Sequence, residues 1–230
     1  MPDVPDNKAP EKKANPWPEP RWLEANESPF GIRVYDCRRD TQTRILWTPS
    51  LDRAKEWIRV TNADGSEFRE VAIPDALCVP CEIFHPTPAV RKEGRYGHPG
   101  AMEEIWCIDF YDGCFQFVQA LQSRLAYCAH VRPTGPESLV ITKVEIHPQE
   151  ADFGPEHALD AVDYLMKAYL FHWVAPHPFS PHFRERPESE LPLYSFFEYG
   201  RRALFGTFEP TRELQGFPWE PVKILNHGMS

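Results

Sequence analysis

Asp112-Gly113 stands between two runs of alternating aromatic, aliphatic and polar residues, WCIDFY and CFQFVQ. A two-residue type I′ turn needs positive φ at both central positions, which Asp-Gly supplies with little strain. The dipeptide therefore predicts a β-hairpin whose register follows from the turn. In that register Tyr111 faces Cys114, Phe110 faces Phe115, Ile108 faces Phe117 and Trp106 faces Gln119. Side chains alternate along a strand, so Trp106, Ile108, Phe110, Phe115 and Phe117 share one face. Cys107, Asp109, Tyr111, Cys114, Gln116 and Val118 share the other.

Two further strands extend the hairpin into an antiparallel meander over residues 102–148. Strict alternation sets Leu125, Tyr127, Ala129 and Val131 against Arg124, Cys128, His130 and Arg132. It sets Val140, Thr142, Val144 and Ile146 against Ile141, Lys143, Glu145 and His147. One face reads as core and the other as mixed polar. A helix expected over 155–173 carries Leu159, Val162, Leu165, Met166, Tyr169, Leu170 and Trp173 as a broad apolar stripe, the natural cover for the aromatic face. The expected fold class is α+β: a single antiparallel sheet, covered on one face by helices, with long Pro-rich loops.

Elsewhere the pattern predicts strands at 30–38 and 43–47, joined by a turn at 39–42. A helix follows, starting at Thr48-Pro49 and running to about Val60, with Leu51, Ala54, Trp57 and Ile58 at core-facing spacing. Residues 67–73 read as a strand, 78–84 as an edge strand, and 86–101 and 175–192 as loops. Residues 193–209 are apolar without a period that separates helix from strand. Residues 1–20, with six prolines, read as a flexible arm that docks through Trp17 and Trp22, ahead of one domain over 21–230.

Fifteen Phe, eight Tyr and seven Trp in 230 residues are ample for a large core. The net charge of −9 repels a phosphate backbone and an anionic membrane surface, which argues against nucleic acid and lipid as ligands. No apolar run resembles a signal peptide or a membrane helix, so a soluble, cytoplasmic protein is expected, its six cysteines read as thiols.

Three groups of residues can carry chemistry. Asp109, His130, Glu145 and His147 fall on the mixed sheet face, where an imidazole beside a carboxylate can act as a general base or join a divalent metal. An ordinary solvated sheet face gives the same pattern, and such faces outnumber active sites. Cys78 and Cys81 form a CxxC with His85 beyond, but no second cysteine pair completes a zinc site. His172, His177 and His182 are spaced by five among prolines, which matches no helical ligand pair and fits a loop. Phosphate-cradling glycine loops, nucleophile elbows and HExxH are absent, and no cofactor is assigned.

Two functions fit. One is an acidic protein-binding module of immunity or adaptor type that meets a basic partner, with Phe179, Phe183 and Glu185 as candidate contacts. The other is an enzyme whose site lies on the mixed face of the sheet.

Overall fold

The computed structural model describes residues 15–86, 92–212 and 214. The hairpin forms as expected: Asp112 and Gly113 adopt φ of 52° and 75°, and the pairs run from Trp106↔Gln119 to Tyr111↔Cys114. In chain order the strands are β1 (Arg21–Leu23), β2 (Val34–Asp36), β3 (Leu77–Pro86), β4 (Gly94–Gly97) and β5 (Trp106–Tyr111). They continue with β6 (Cys114–Gln119), β7 (Arg124–Gly135), β8 (Ser138–Ile146), β9 (Pro176–Pro178) and β10 (Phe205–Thr207). The helices are α1 (Arg38–Thr43), α2 (Leu51–Asn62), α3 (Pro148–Ala151), α4 (Pro155–Leu165) and α5 (Leu191–Tyr199).

The fold is α+β, with two sheets rather than the single one expected. The large sheet is antiparallel, in the order β3-β8-β7-β6-β5-β4. A small mixed sheet, β1-β2-β10-β9, joins segments of three residues each, with β9 and β10 parallel. β2 falls inside the strand expected at 30–38, whereas β1, β9 and β10 are too short to carry a periodicity. Tyr35 and Phe179 bring the small sheet into one core with Trp106, Ile108, Phe115, Phe117 and Tyr127 of the large one. The expected helix covers that aromatic face, contributing Leu159, Val162 and Leu165 from α4. Its last turns, Met166–Leu170, widen to a π-helix.

Two bulges break the alternation assumed for the meander. Phe117 and Val118 pair with Tyr127 and Leu125, which leaves Ala126 as the extra residue. His130 and Val131 pair with Lys143 and Ile141, which leaves Thr142 extra. An extra residue shifts the phase of everything beyond it. Leu125 therefore joins Cys107 and Val118 on the second face, while Ile141 and Leu139 join Val144 and Ile146 in the main core.

The other departures have local causes. Residues 38–43 form α1 rather than a turn between strands. The Asp36 carboxylate accepts from the Arg38 amide at 3.0 Å, and Thr41 Oγ1 donates to Cys37 O at 3.2 Å. The cap of α2 is Ser50, whose Oγ accepts from the Arg53 amide, two residues beyond the expected Thr48. Residues 67–73 hold part of a 3-10 turn in place of a strand. The expected loops contain β4 and β9, and 193–209 splits into the end of α5 and then β10. Trp17 lies under the Arg38 guanidinium and Trp22 packs edge-on to Tyr35; residues 1–14 of the expected arm lie outside the described residues.

Candidate functional site

The second face of the large sheet is neither flat nor open. The segment between α2 and β3 roofs part of it, burying Val60, Phe68 and Ile73 against Cys107, Val118 and Leu125. Asp109 lies under this roof with no exposed surface. Arg95, its neighbour on β4, places Nε 2.7 Å and Nη2 3.0 Å from the two carboxylate oxygens. Nη1 of the same guanidinium donates to Val60 O and Thr61 O at 2.6 and 3.0 Å. The pair thus satisfies carbonyls that the C-terminal end of α2 leaves open. Gly65, at φ 87°, crosses directly above, and a Cβ there would overlap the Asp109 carboxylate. Burial pushes the Asp109 carboxyl up, and the Arg95 bonds oppose that shift. Asp109 is thereby bound into an anchor for α2.

The other three candidate residues do not converge on it. His130 and Glu145 do meet: Nε2 of His130 lies 2.8 Å from Glu145 Oε1, which also accepts from Lys143 Nζ at 2.7 Å. Nδ1 of His130 lies 3.0 Å from Cys114 Sγ, across the β6–β7 ladder. His147 sits at the end of β8 as the N-cap of α3, with Nδ1 accepting from the Gln149 amide and facing Arg124. Burial and the Arg124 charge lower its pKa.

Of the loop residues, Phe179 is buried among Trp22, Tyr35, Tyr194 and Phe208, and so offers no anchor to a partner. Phe183 stacks on Tyr194 at 4.3 Å, leaving Glu185 exposed. His177 is not a loop residue but part of β9, wholly buried, with Nε2 2.9 Å from Ser195 Oγ. Ser195 in turn donates to Leu191 O and contacts Cys37 Sγ at 3.3 Å. A serine whose proton is held by a backbone carbonyl, in a dry core, is a packing element. Burial brings the His177 pKa down to about 3 and the Cys37 thiol up to about 12. Cys78 is exposed and Cys81 donates to Ile141 O, so the CxxC forms no disulfide. His85 is buried 3.5 Å from Asp163, whose other oxygen is held by Lys167 at 2.6 Å.

Two features escaped the sequence. The first is the outer side of α2. The helix is anchored by its buried C-terminal residues Val60 and Thr61, while Leu51 and Ile58, expected in the core, are 67% and 51% exposed. Ile45 and Trp47, in the segment entering the helix, are 77% and 73% exposed. Of the expected stripe, Trp57 packs against the cluster of Val60, Phe68 and Ile73 and Ala54 is half-buried, while Leu51 and Ile58 face outward.

The second is a cleft of about 210 Å³ at the end of the meander, lined by Arg124, Gln149, Glu150, Phe153, Phe197 and Glu198 among others. Arg124 pairs with Glu150, and Tyr127 donates to the same carboxylate at 3.2 Å. Burial, then the nearby Glu150 charge, raises the Glu198 carboxyl to about 7.

No protein-family model, curated protein or solved structure matches the chain. Among the described residues, no helix is long and apolar enough to cross a membrane.

Proposed function

We propose that this protein is a protein-binding module, of adaptor or immunity type, whose docking element is the outward stripe of α2 with the segment before it. The observation that carries the reading is the exposure of Ile45, Trp47, Leu51 and Ile58 within fourteen residues. Leu51 and Ile58 are two helical turns apart on one side, the spacing by which an amphipathic helix enters a partner's groove. Large apolar side chains left outside cost solubility unless something covers them. The occupant is a basic protein with an apolar groove: a net charge of −9 speeds encounter with a cationic surface and repels acidic ones.

The test compares the wild-type chain with Leu51→Asp/Ile58→Asp. Affinity capture from the native host, followed by titration of the purified captured protein, is expected to give a basic partner. Its Kd should weaken at least about 100-fold in the double variant, since two buried anchors of about 1.5 kcal/mol each are lost. A partner bound equally well by both proteins, or none captured by wild type, overturns the reading.

A second reading, acid–base catalysis, rests on the cleft rather than on the sheet face. Glu198, whose carboxyl burial raises to about 7, and Glu150, paired with Arg124, line one concave site. Turnover in a hydrolase substrate screen that is abolished by Glu198→Gln would support it; full activity in that variant would end it.

A further inference from the structure

The meander brings two thiols and an imidazole to one point on the second face. The β6–β7 ladder sets Cys114 opposite His130 and places Cys128 one pleat away on β7, opposite Gln116. Cys128 and His130 are two residues apart and so share a face. The sulfur of Cys114, the sulfur of Cys128 and a ring nitrogen of His130 all lie within 4.8 Å of one another.

A tetrahedral zinc-type centre, with bonds near 2.3 Å to sulfur and 2.0 Å to nitrogen, has ligand atoms about 3.6 Å apart. The Cys114 Sγ to His130 Nδ1 distance is 3.0 Å, so a small rotation of side chains would admit an ion. Nothing in the backbone has to move, because Cys114, Cys128, His130 and Glu145 are all held in ladder pairs.

The surroundings match what such a centre needs. Nε2 of His130 donates to Glu145, which leaves the lone pair of Nδ1 directed toward the thiols. A carboxylate behind an imidazole is the usual outer partner of a metal-bound histidine. Glu145 is opposite Cys128 in the β7–β8 ladder, and Lys143 Nζ donates to its carboxylate at 2.7 Å. The His130 and Glu145 side chains are 33% and 25% exposed, so an ion has a way in from solvent.

We propose that Cys114, Cys128 and His130 bind a thiophilic transition-metal ion of the zinc class, oriented by Glu145 and with a fourth position open. Two sulfurs and a nitrogen select against the hard cations magnesium and calcium. Three protein ligands with one free position leave room for water or for a donor brought by a partner. Binding displaces the two thiol protons to solvent and changes no oxidation state.

The experiment is titration of the reduced, full-length protein with Co²⁺, followed by displacement with Zn²⁺. Equimolar uptake is expected, with a thiolate-to-cobalt charge-transfer band and the intense visible bands of a tetrahedral site, both erased by Zn²⁺. Cys114→Ser, Cys128→Ser and His130→Gln should each lose the charge-transfer band or weaken binding at least 100-fold, whereas Cys78→Ser should bind as wild type. Glu145→Gln, which keeps all three ligands, should weaken binding by about 10- to 100-fold. Near-ultraviolet circular dichroism checks that each variant is folded. Absence of the charge-transfer band, its persistence in Cys114→Ser and Cys128→Ser, or a Cys114–Cys128 disulfide in protein isolated without oxidant overturns the proposal.

Discussion

The two faces of the large sheet solve different problems. One is dry: Trp106, Phe115, Phe117 and Tyr127 pack beneath α4, held mainly by burial of apolar area. The other mixes Cys107, Val118 and Leu125 with paired polar groups: Arg95 with Asp109, Cys114 with His130, and the Gln116 amide nitrogen with Phe68 O. A face made of paired polar groups can anchor a helix at one end without burying it along its length. That is how α2 comes to be fixed by Val60, Thr61 and the Arg95–Asp109 pair while Leu51 and Ile58 stay outside.

The largest expected effect breaks the dry face. Phe117→Ala removes a wholly buried ring and should cost about 3–5 kcal/mol in urea unfolding. A cost below about 1 kcal/mol would mean that this face is not the centre of the core.

Arg95→Ala breaks the other face and should cost about 3 kcal/mol, because Asp109 is left buried and unpaired. Its signature differs: amides of α2 should exchange faster while those of β5 and β6 beneath the aromatic core stay protected. With Arg95 gone the Asp109 carboxyl rises further above its unfolded value. Its contribution to stability is then present below the unfolded pKa and lost as pH rises. Unchanged exchange in α2 would remove the anchoring role.

The pH profile sharpens the contrast further. His85 and His177 are held near 3 by burial, below their unfolded value of about 6.5, so their contribution is full above 6.5 and is lost as pH falls toward 3. Glu198, raised to about 7, acts in the opposite sense, and its contribution is lost as pH rises through 7. Two histidines outweigh one carboxyl where the windows overlap, so these groups place the maximum near pH 6.5, and Glu198→Gln should flatten the alkaline side by on the order of 2 kcal/mol. An alkaline limb unaltered in that variant would place Glu198 in solvent.

The smallest stability change belongs to Leu51→Asp/Ile58→Asp, under about 0.5 kcal/mol for two exposed positions, despite its expected effect on partner binding. Substantial unfolding would show that the stripe is core after all.

Local chemistry made the hairpin, its register, the aromatic face and its covering helix legible in the chain. Asp112-Gly113 has few turn conformations, and a period of two or of 3.6 can be read along the chain up to the first bulge or kink. The small sheet, the direction of α2 and the cleft at Glu150 and Glu198 were not legible, since each depends on residues far apart in sequence. Asp109 shows the limit most clearly: alternation put it on the second face, but only the fold supplied Arg95, Gly65 and the end of α2 around it. Cys114, Cys128 and His130 lie between these extremes. The sequence by itself determined that they share a face, because side chains alternate along each strand of the meander. Only the tertiary structure decided that their ligand atoms lie within 4.8 Å and that Glu145 backs the imidazole, because rotamers and bulges are settled by packing.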